Sequence, residues 1–143
     1  MKSSEGFSVL IVGCGELGSR HLQAVASLPD VGCIEVVDPR AESLDLGRRR
    51  LNELVDLEIA PKVRWLSSIS EASKYGDLCI VSTQAEGRCR LVRDISESLG
   101  YKAFLLEKII GQSTEEIKSL TNFAKEYGLS VWVNCQSRSY AFH

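Results

Sequence analysis

The stretch Val9-Leu10-Ile11-Val12-Gly13-Cys14-Gly15-Glu16-Leu17-Gly18 constrains this chain more than any other. Residues 7–12, Phe-Ser-Val-Leu-Ile-Val, are a short apolar run rich in branched side chains, the pattern of a buried strand. The run stops at glycines spaced Gly-x-Gly-x-x-Gly, and a segment with helical spacing of apolar residues follows. Each glycine has a mechanical reason in a strand–turn–helix unit. Gly13 makes the tight turn, Gly15 lets a ligand approach the backbone with no Cβ in the way, and Gly18 lets the helix pack closely on the strand. The start of such a helix offers free N–H groups and the positive end of its dipole, which suit a phosphate. Gly13, Cys14, Gly15, Glu16, Leu17 and Gly18 are therefore the candidates to cradle a pyrophosphate.

The rest of the chain repeats the alternation. Strands are predicted at 34–37, 63–66, 78–81, 103–106 and 131–133, and helices at 16–28, 41–55, 88–99 and 113–127. The first helix shows apolar residues at Leu17, Leu22, Val25 and Leu28, a spacing that suits a helix, with Pro29-Asp30 ending it. The second is expected to bury Leu44, Leu51, Leu54 and Val55, weakened by Gly47. Residues 67–73 suggest one or two helical turns. Ser113 with Glu116 fits a capping box, and Gly100 and Gly128 close the helices before them. Six apolar strands separated by helices predict an α/β fold: a six-stranded, doubly wound parallel sheet with helices on both faces, the Rossmann arrangement.

Asp38, twenty residues after Gly18, ends the second strand. This is where a dinucleotide-binding fold carries the acid that accepts hydrogen bonds from the adenosine ribose. A carboxylate there repels a 2′-phosphate and favours NAD over NADP. Arg40 complicates that choice, because it can stack on adenine or neutralise a 2′-phosphate. S-adenosylmethionine is a rival ligand for such a loop, but a pyrophosphate makes better use of the helix N-terminus.

Composition narrows the partners. A net charge of −2 over 143 residues argues against nucleic acid. The basic run Arg48-Arg49-Arg50 is expected to be a solvated helix face. No stretch is long and apolar enough to span a membrane, and residues 1–8 lack the apolar core of a signal peptide. Five cysteines without a Cys-x-x-Cys pair predict reduced thiols in a cytoplasmic protein and no metal site. His21, in the first helix, could be mistaken for a catalytic histidine, but its place in the glycine–helix motif predicts a packing or hydrogen-bonding role. No hydrolase-like Ser/His/Asp set or carboxylate pair emerges.

The segments VGCGELGSRH, EVVDP, VSTQAEGR, LLEKIIGQSTEE and WVNCQSR, in this order and spacing, resemble the N-terminal domain of the glucose–fructose oxidoreductase / inositol dehydrogenase / MocA family. The resemblance covers nearly the whole chain. It implies that Ser82, Thr83 and Gln84 form the loop under the dinucleotide, with Gln84 in place of a proline and Arg88 in place of a common histidine. It implies that Glu107 and Lys108 keep the family's Glu-Lys pair, with Ile109 replacing the proline that follows. Lys108 would then lie by the nicotinamide ribose and the substrate hydroxyl and take part in proton transfer. The ends of strands one, four and five meet at the switch in strand order, where such sheets bind ligands, which supports this placement. Taken alone, Glu107-Lys108 reads equally well as a surface ion pair beyond a strand end.

The resemblance further implies hydride transfer between NAD(P) and a hydroxyl carbon of a sugar, cyclitol or nucleotide-linked sugar. It implies a second domain, absent from this chain, that supplies most of the substrate pocket and the interface of a homo-oligomer. Residues 1–143 are thus expected to bind dinucleotide but not to turn over substrate alone. A non-catalytic NAD(P)-binding sensor or regulatory module is the alternative, motivated by Gln84 and Ile109.

Overall fold

The computed structural model describes residues 6–54 and 61–135. Six parallel strands form one sheet: β1 (Phe7–Val12), β2 (Val31–Val37), β3 (Lys62–Leu66), β4 (Leu78–Val81), β5 (Ala103–Glu107) and β6 (Ser130–Asn134). Their order is β3-β2-β1-β4-β5-β6, so the chain winds outward in one direction to β3, then returns to the centre and winds the other way. The switch in strand order lies between β1 and β4. Four helices connect the strands: α1 (Glu16–Ala26), α2 (Ala41–Asn52), α3 (Arg88–Leu99) and α4 (Thr114–Tyr127). This is the doubly wound α/β Rossmann arrangement.

Alternation along β1 divides the core between two layers. Leu10 and Val12 pack in a cluster with Val92 and Ile95 of α3 and Leu120 of α4. Val9 and Ile11 pack with Leu22 and Val25 of α1 and Leu44 of α2. Leu10, Ile11 and Leu22 have no exposed surface, and each such side chain contributes roughly 1.5–3 kcal/mol by its burial. Both faces of β1 are apolar because both are covered, which is why its sequence is a continuous run.

Several local expectations are corrected. Of the apolar residues in the first predicted helix, Leu22 and Val25 are buried, while Leu17 and Leu28 are each 53% exposed. α1 buries Gly18 and Ser19 instead, with Leu22, Val25 and Ala26, because it approaches the sheet through small residues. The helix also stops at Ala26, before Pro29. In α2, Leu44 is buried and Leu51 and Leu54 are half-buried, while Val55 lies outside the described residues. Residues 67–73 form a single 3-10 turn, Ile69–Glu71, with its own capping box between Ser68 and Glu71. At α4 only half of the expected box forms. The Ser113 hydroxyl accepts the Glu116 N–H, but the Glu116 carboxylate accepts from the Gln112 N–H rather than that of Ser113.

Gly47 sits inside α2 because a side chain there has no room. A Cβ added to it would lie 2.5 Å from Cys14 Sγ and 2.9 Å from the Trp65 ring. The helix propensity lost at this glycine is thus offset by close packing against the glycine-loop segment.

Candidate functional site

The strand register aligns the site. Val12 pairs with Val37 on one side and Val81 on the other, and Val81 pairs with Leu106. The next residue of each strand therefore falls in one row along the carboxyl edge: Asp38, Gly13, Ser82 and Glu107. Asn134 extends the row by pairing with Glu107. At about 4.8 Å per strand the row runs roughly 19 Å from Asp38 to Asn134. The candidates proposed from sequence, scattered from 13 to 108, thus converge on one edge.

The three glycines differ in what the protein itself demands. Gly13 has φ +89°, and a Cβ on it would press against the Ser82–Thr83 backbone at 3.0 Å. A Cβ on Gly18 would overlap the Gly13 carbonyl oxygen. Both are glycine because the loop and helix fold onto each other. Gly15 is different, since the one atom within 4 Å of an added Cβ is Arg40 Nη2, at 3.9 Å. Nothing in the chain's own packing requires a glycine there. Gly15 is also the N-cap of α1, with no side chain to cap the first-turn N–H groups. Open space and uncapped N–H groups together form a cradle for an anion.

Charges around the cradle are arranged to suit. Glu16, in the first turn of α1, has its carboxylate paired with Arg50 Nη2. Arg50 Nη1 also donates to the Glu16 carbonyl and the Ser19 hydroxyl, both at 2.6 Å. The Arg50 side chain is only 11% exposed, so the basic run on α2 is not uniformly a solvated face. Arg48 does lie outward, stacked 4.8 Å from the Trp65 ring centroid and paired with Asp45.

Asp38 is buried and holds the loop in place. Its Oδ2 accepts the Cys14 N–H at 2.9 Å, and its Oδ1 accepts the Arg40 N–H at 2.9 Å and Nε at 3.4 Å. Burial pushes this carboxyl up, but the N–H donors of Cys14 and Arg40 and the Arg40 charge prevail and hold it below its ordinary value. Cys14 faces the other way. Its thiol is fully buried against α2, and burial followed by the Asp38 charge pushes it up to about 11. Its side chain is therefore removed from the crevice, and its N–H is already taken by Asp38.

At the other end of the row, Glu107 is buried and multiply held. Its Oε1 sits 2.5 Å from His21 Nε2 and accepts from Asn134 Nδ2 at 2.7 Å. Burial raises this carboxyl, but the donors Asn134 and His21, with the Arg88 charge, more than compensate and keep it below its ordinary value. Lys108 is exposed, and its ammonium has no partner among the described residues. The Lys108–Ile109 peptide is cis, and Ile109 is 71% exposed. The pair is therefore split: Glu107 is anchored in the fold and Lys108 is free to meet a ligand.

Ser82 donates its N–H to the Val12 carbonyl at 2.8 Å, while its buried Oγ has no partner among the described residues. The Thr83 hydroxyl donates to the Gln84 carbonyl at 3.3 Å, and Gln84 is exposed. Three residues were not anticipated in these roles: Arg50, Asn134 and Arg88. His21 hydrogen-bonds as expected, and its partner, Glu107, lies 86 residues away.

No protein-family model matches the chain, and no curated protein matches it. Solved structures do. The chain is similar to the WlbA dehydrogenase from Bordetella pertussis in complex with NADH and UDP-GlcNAcA. The TM-score is 0.76 and the identity 22%, over 95% of this chain and 39% of that one. It is similar to scyllo-inositol dehydrogenase from Lactobacillus casei with bound NAD(H) and scyllo-inositol. There the TM-score is 0.71 and the identity 16%, over 93% of this chain and 37% of that one. A Gfo/Idh/MocA family oxidoreductase from Vibrio cholerae gives a TM-score of 0.71 and 15% identity, over 90% of this chain and 38% of that one. At these identities the fold is what is shared. The chain spans between 37% and 39% of the length of these three structures.

Proposed function

We propose that this chain is the nicotinamide-dinucleotide-binding domain of an oxidoreductase of the Gfo/Idh/MocA family. The parent transfers hydride between NAD and a hydroxyl carbon of a sugar, cyclitol or nucleotide-linked sugar. One observation carries the reading. Gly15 is a glycine the protein's own packing does not need, set before the uncapped start of α1 and next to Cys14, whose N–H is held by the buried Asp38. The neighbours crystallised with NAD or NADH, and with a nucleotide-linked sugar or a cyclitol as substrate, support the ligand and substrate class.

The residues present fit the dinucleotide. The N–H groups of Glu16, Leu17 and Gly18 would hold the pyrophosphate, and the Glu16 carboxylate is kept from opposing it by Arg50. The remaining acceptor capacity of Asp38 would take a ribose hydroxyl, and Arg40 would lie along the adenine. Asp38 disfavours a 2′-phosphate, so NAD is preferred over NADP. Ser82 Oγ and the loop through Thr83 and Gln84 would lie under the nicotinamide half. When bound, the nicotinamide accepts or donates the hydride. Lys108 Nζ would orient the substrate hydroxyl and move its proton, with Glu107 fixing the strand end from which Lys108 projects. A second domain in the parent would complete the substrate pocket.

Titrating the chain with NADH and NADPH, read by nicotinamide fluorescence, tests this reading. Saturable binding with NADH tighter is expected. No saturable binding of either would remove the cofactor assignment, and tighter NADPH would remove the Asp38 argument.

A further inference from the structure

Arg88 begins α3 yet is only 3% exposed. Its guanidinium turns back to the edge of the sheet. Nη2 donates to the Thr83 carbonyl, and Nη1 donates to the carbonyls of both Glu107 and Ile109. These three acceptors belong to two separate segments, the loop after β4 and the end of β5 with the turn that follows it. Buried carbonyls need donors, and among the described residues no loop or turn N–H donates to the Thr83 or Ile109 carbonyl. One planar fork, with its donors in fixed directions, serves both. A histidine offers at most two ring donors, and a lysine offers three from a single point, so neither reproduces the bridge.

We propose that Arg88 is a positioning residue that ties the Ser82–Gln84 loop to the Glu107–Ile109 turn and so sets where Lys108 stands relative to the nicotinamide half of the site. This rests on the dinucleotide reading above and adds to it a division of labour. The adenine and pyrophosphate end is built from β1, α1 and β2, and none of the Arg88 side-chain hydrogen bonds goes to its residues. The nicotinamide end is built from β4 and β5, and Arg88 holds both of its loops. Removing the fork therefore loosens one half of the site and leaves the other.

The test compares two probes on the same chain. NADH spans both halves, and ADP carries only the adenine and pyrophosphate half. For Arg88→Met, NADH binding should weaken about tenfold as the freed loops must be ordered on binding, while ADP binding changes less than twofold. Arg88→Lys, which keeps the charge but not the fork, should fall between wild type and Arg88→Met for NADH and again spare ADP. Hydrogen exchange without ligand should rise in residues 83–87 and 107–110 together. Equal loss of NADH and ADP, or no loss of either, overturns the positioning role while wild-type binding keeps the dinucleotide reading. Failure of wild type to bind either probe overturns both. Should Arg88→Met not fold, the lysine variant and its exchange pattern decide the same question.

Discussion

Gly15→Ala separates a glycine kept for a ligand from one kept for the fold. At Gly15 the backbone is extended, φ −73° and ψ −154°, which alanine adopts. The new methyl meets one side-chain atom, Arg40 Nη2, at ordinary contact distance. Alanine is the poorer N-cap by a few tenths to about 1 kcal/mol. It also restricts the unfolded chain, which returns roughly 0.4–1 kcal/mol. The two nearly cancel, so stability should stay within about 0.5 kcal/mol of wild type. Binding should not survive so well. The methyl occupies the space through which a pyrophosphate reaches the α1 N–H groups, and losing one charge-assisted hydrogen bond costs about 1.5–3 kcal/mol. That corresponds to a weakening of NADH binding by roughly 10- to 100-fold. Gly18→Ala is the control, because its methyl would overlap the Gly13 carbonyl and force α1 off the sheet. Its cost should be about 3 kcal/mol or more. Urea unfolding and NADH fluorescence titration measure both quantities. The reasoning is refuted if Gly15→Ala binds NADH as wild type does, or if it destabilises the chain as much as Gly18→Ala.

Three further outcomes follow from the same geometry. Gly47→Ala should destabilise by about 1–3 kcal/mol despite its better helix propensity, because the methyl meets Cys14 Sγ and Trp65; a urea midpoint at or above that of wild type contradicts this. Glu107 is held below its ordinary value when folded, so the stability it gives is present at neutral pH and is lost as pH falls below about 4.5 and through its native value. Glu107→Gln should accordingly be less stable than wild type at pH 7, with the gap narrowing in acid; urea midpoints that stay parallel from pH 7 to pH 3 contradict it. In the full-length parent, Lys108→Met should lower turnover far more than NADH affinity, and unchanged turnover would return Lys108 to a surface role.

The fold was legible because the central strands β1, β2, β4 and β5 are covered on both faces over much of their length and so appear as apolar runs, while the edge strands β3 and β6 alternate with exposed residues. The glycine loop was legible because its constraints are local: a turn, a close helix, an open approach. In α1 the glycine spacing placed Gly18 against the sheet, but a face built of small residues carries no hydrophobic signal, so Ser19 beside it was not legible. The partners of Glu107 were hidden for another reason. His21 and Asn134 lie 86 and 27 residues away, and only the sheet register brings them to one carboxylate. Arg50 and Arg88 were hidden by their charge. Each is an arginine in a helix, indistinguishable by pattern from a solvated one; Arg50 is drawn in by Glu16 and the Ser19 hydroxyl, and Arg88 by the carbonyls of Thr83, Glu107 and Ile109. The Cys14 thiol was placed in the loop by its position and in the core by the orientation of its side chain.

In the proposed function a pyrophosphate sits at the start of α1. Amide resonances of the isotopically labelled chain, followed during addition of NADH, test this most directly. The amides of Gly15, Glu16, Leu17 and Gly18 should shift most and saturate together, with Arg40 and Thr83 moving in step. Saturable shifts confined elsewhere, with these four amides unmoved, would contradict it.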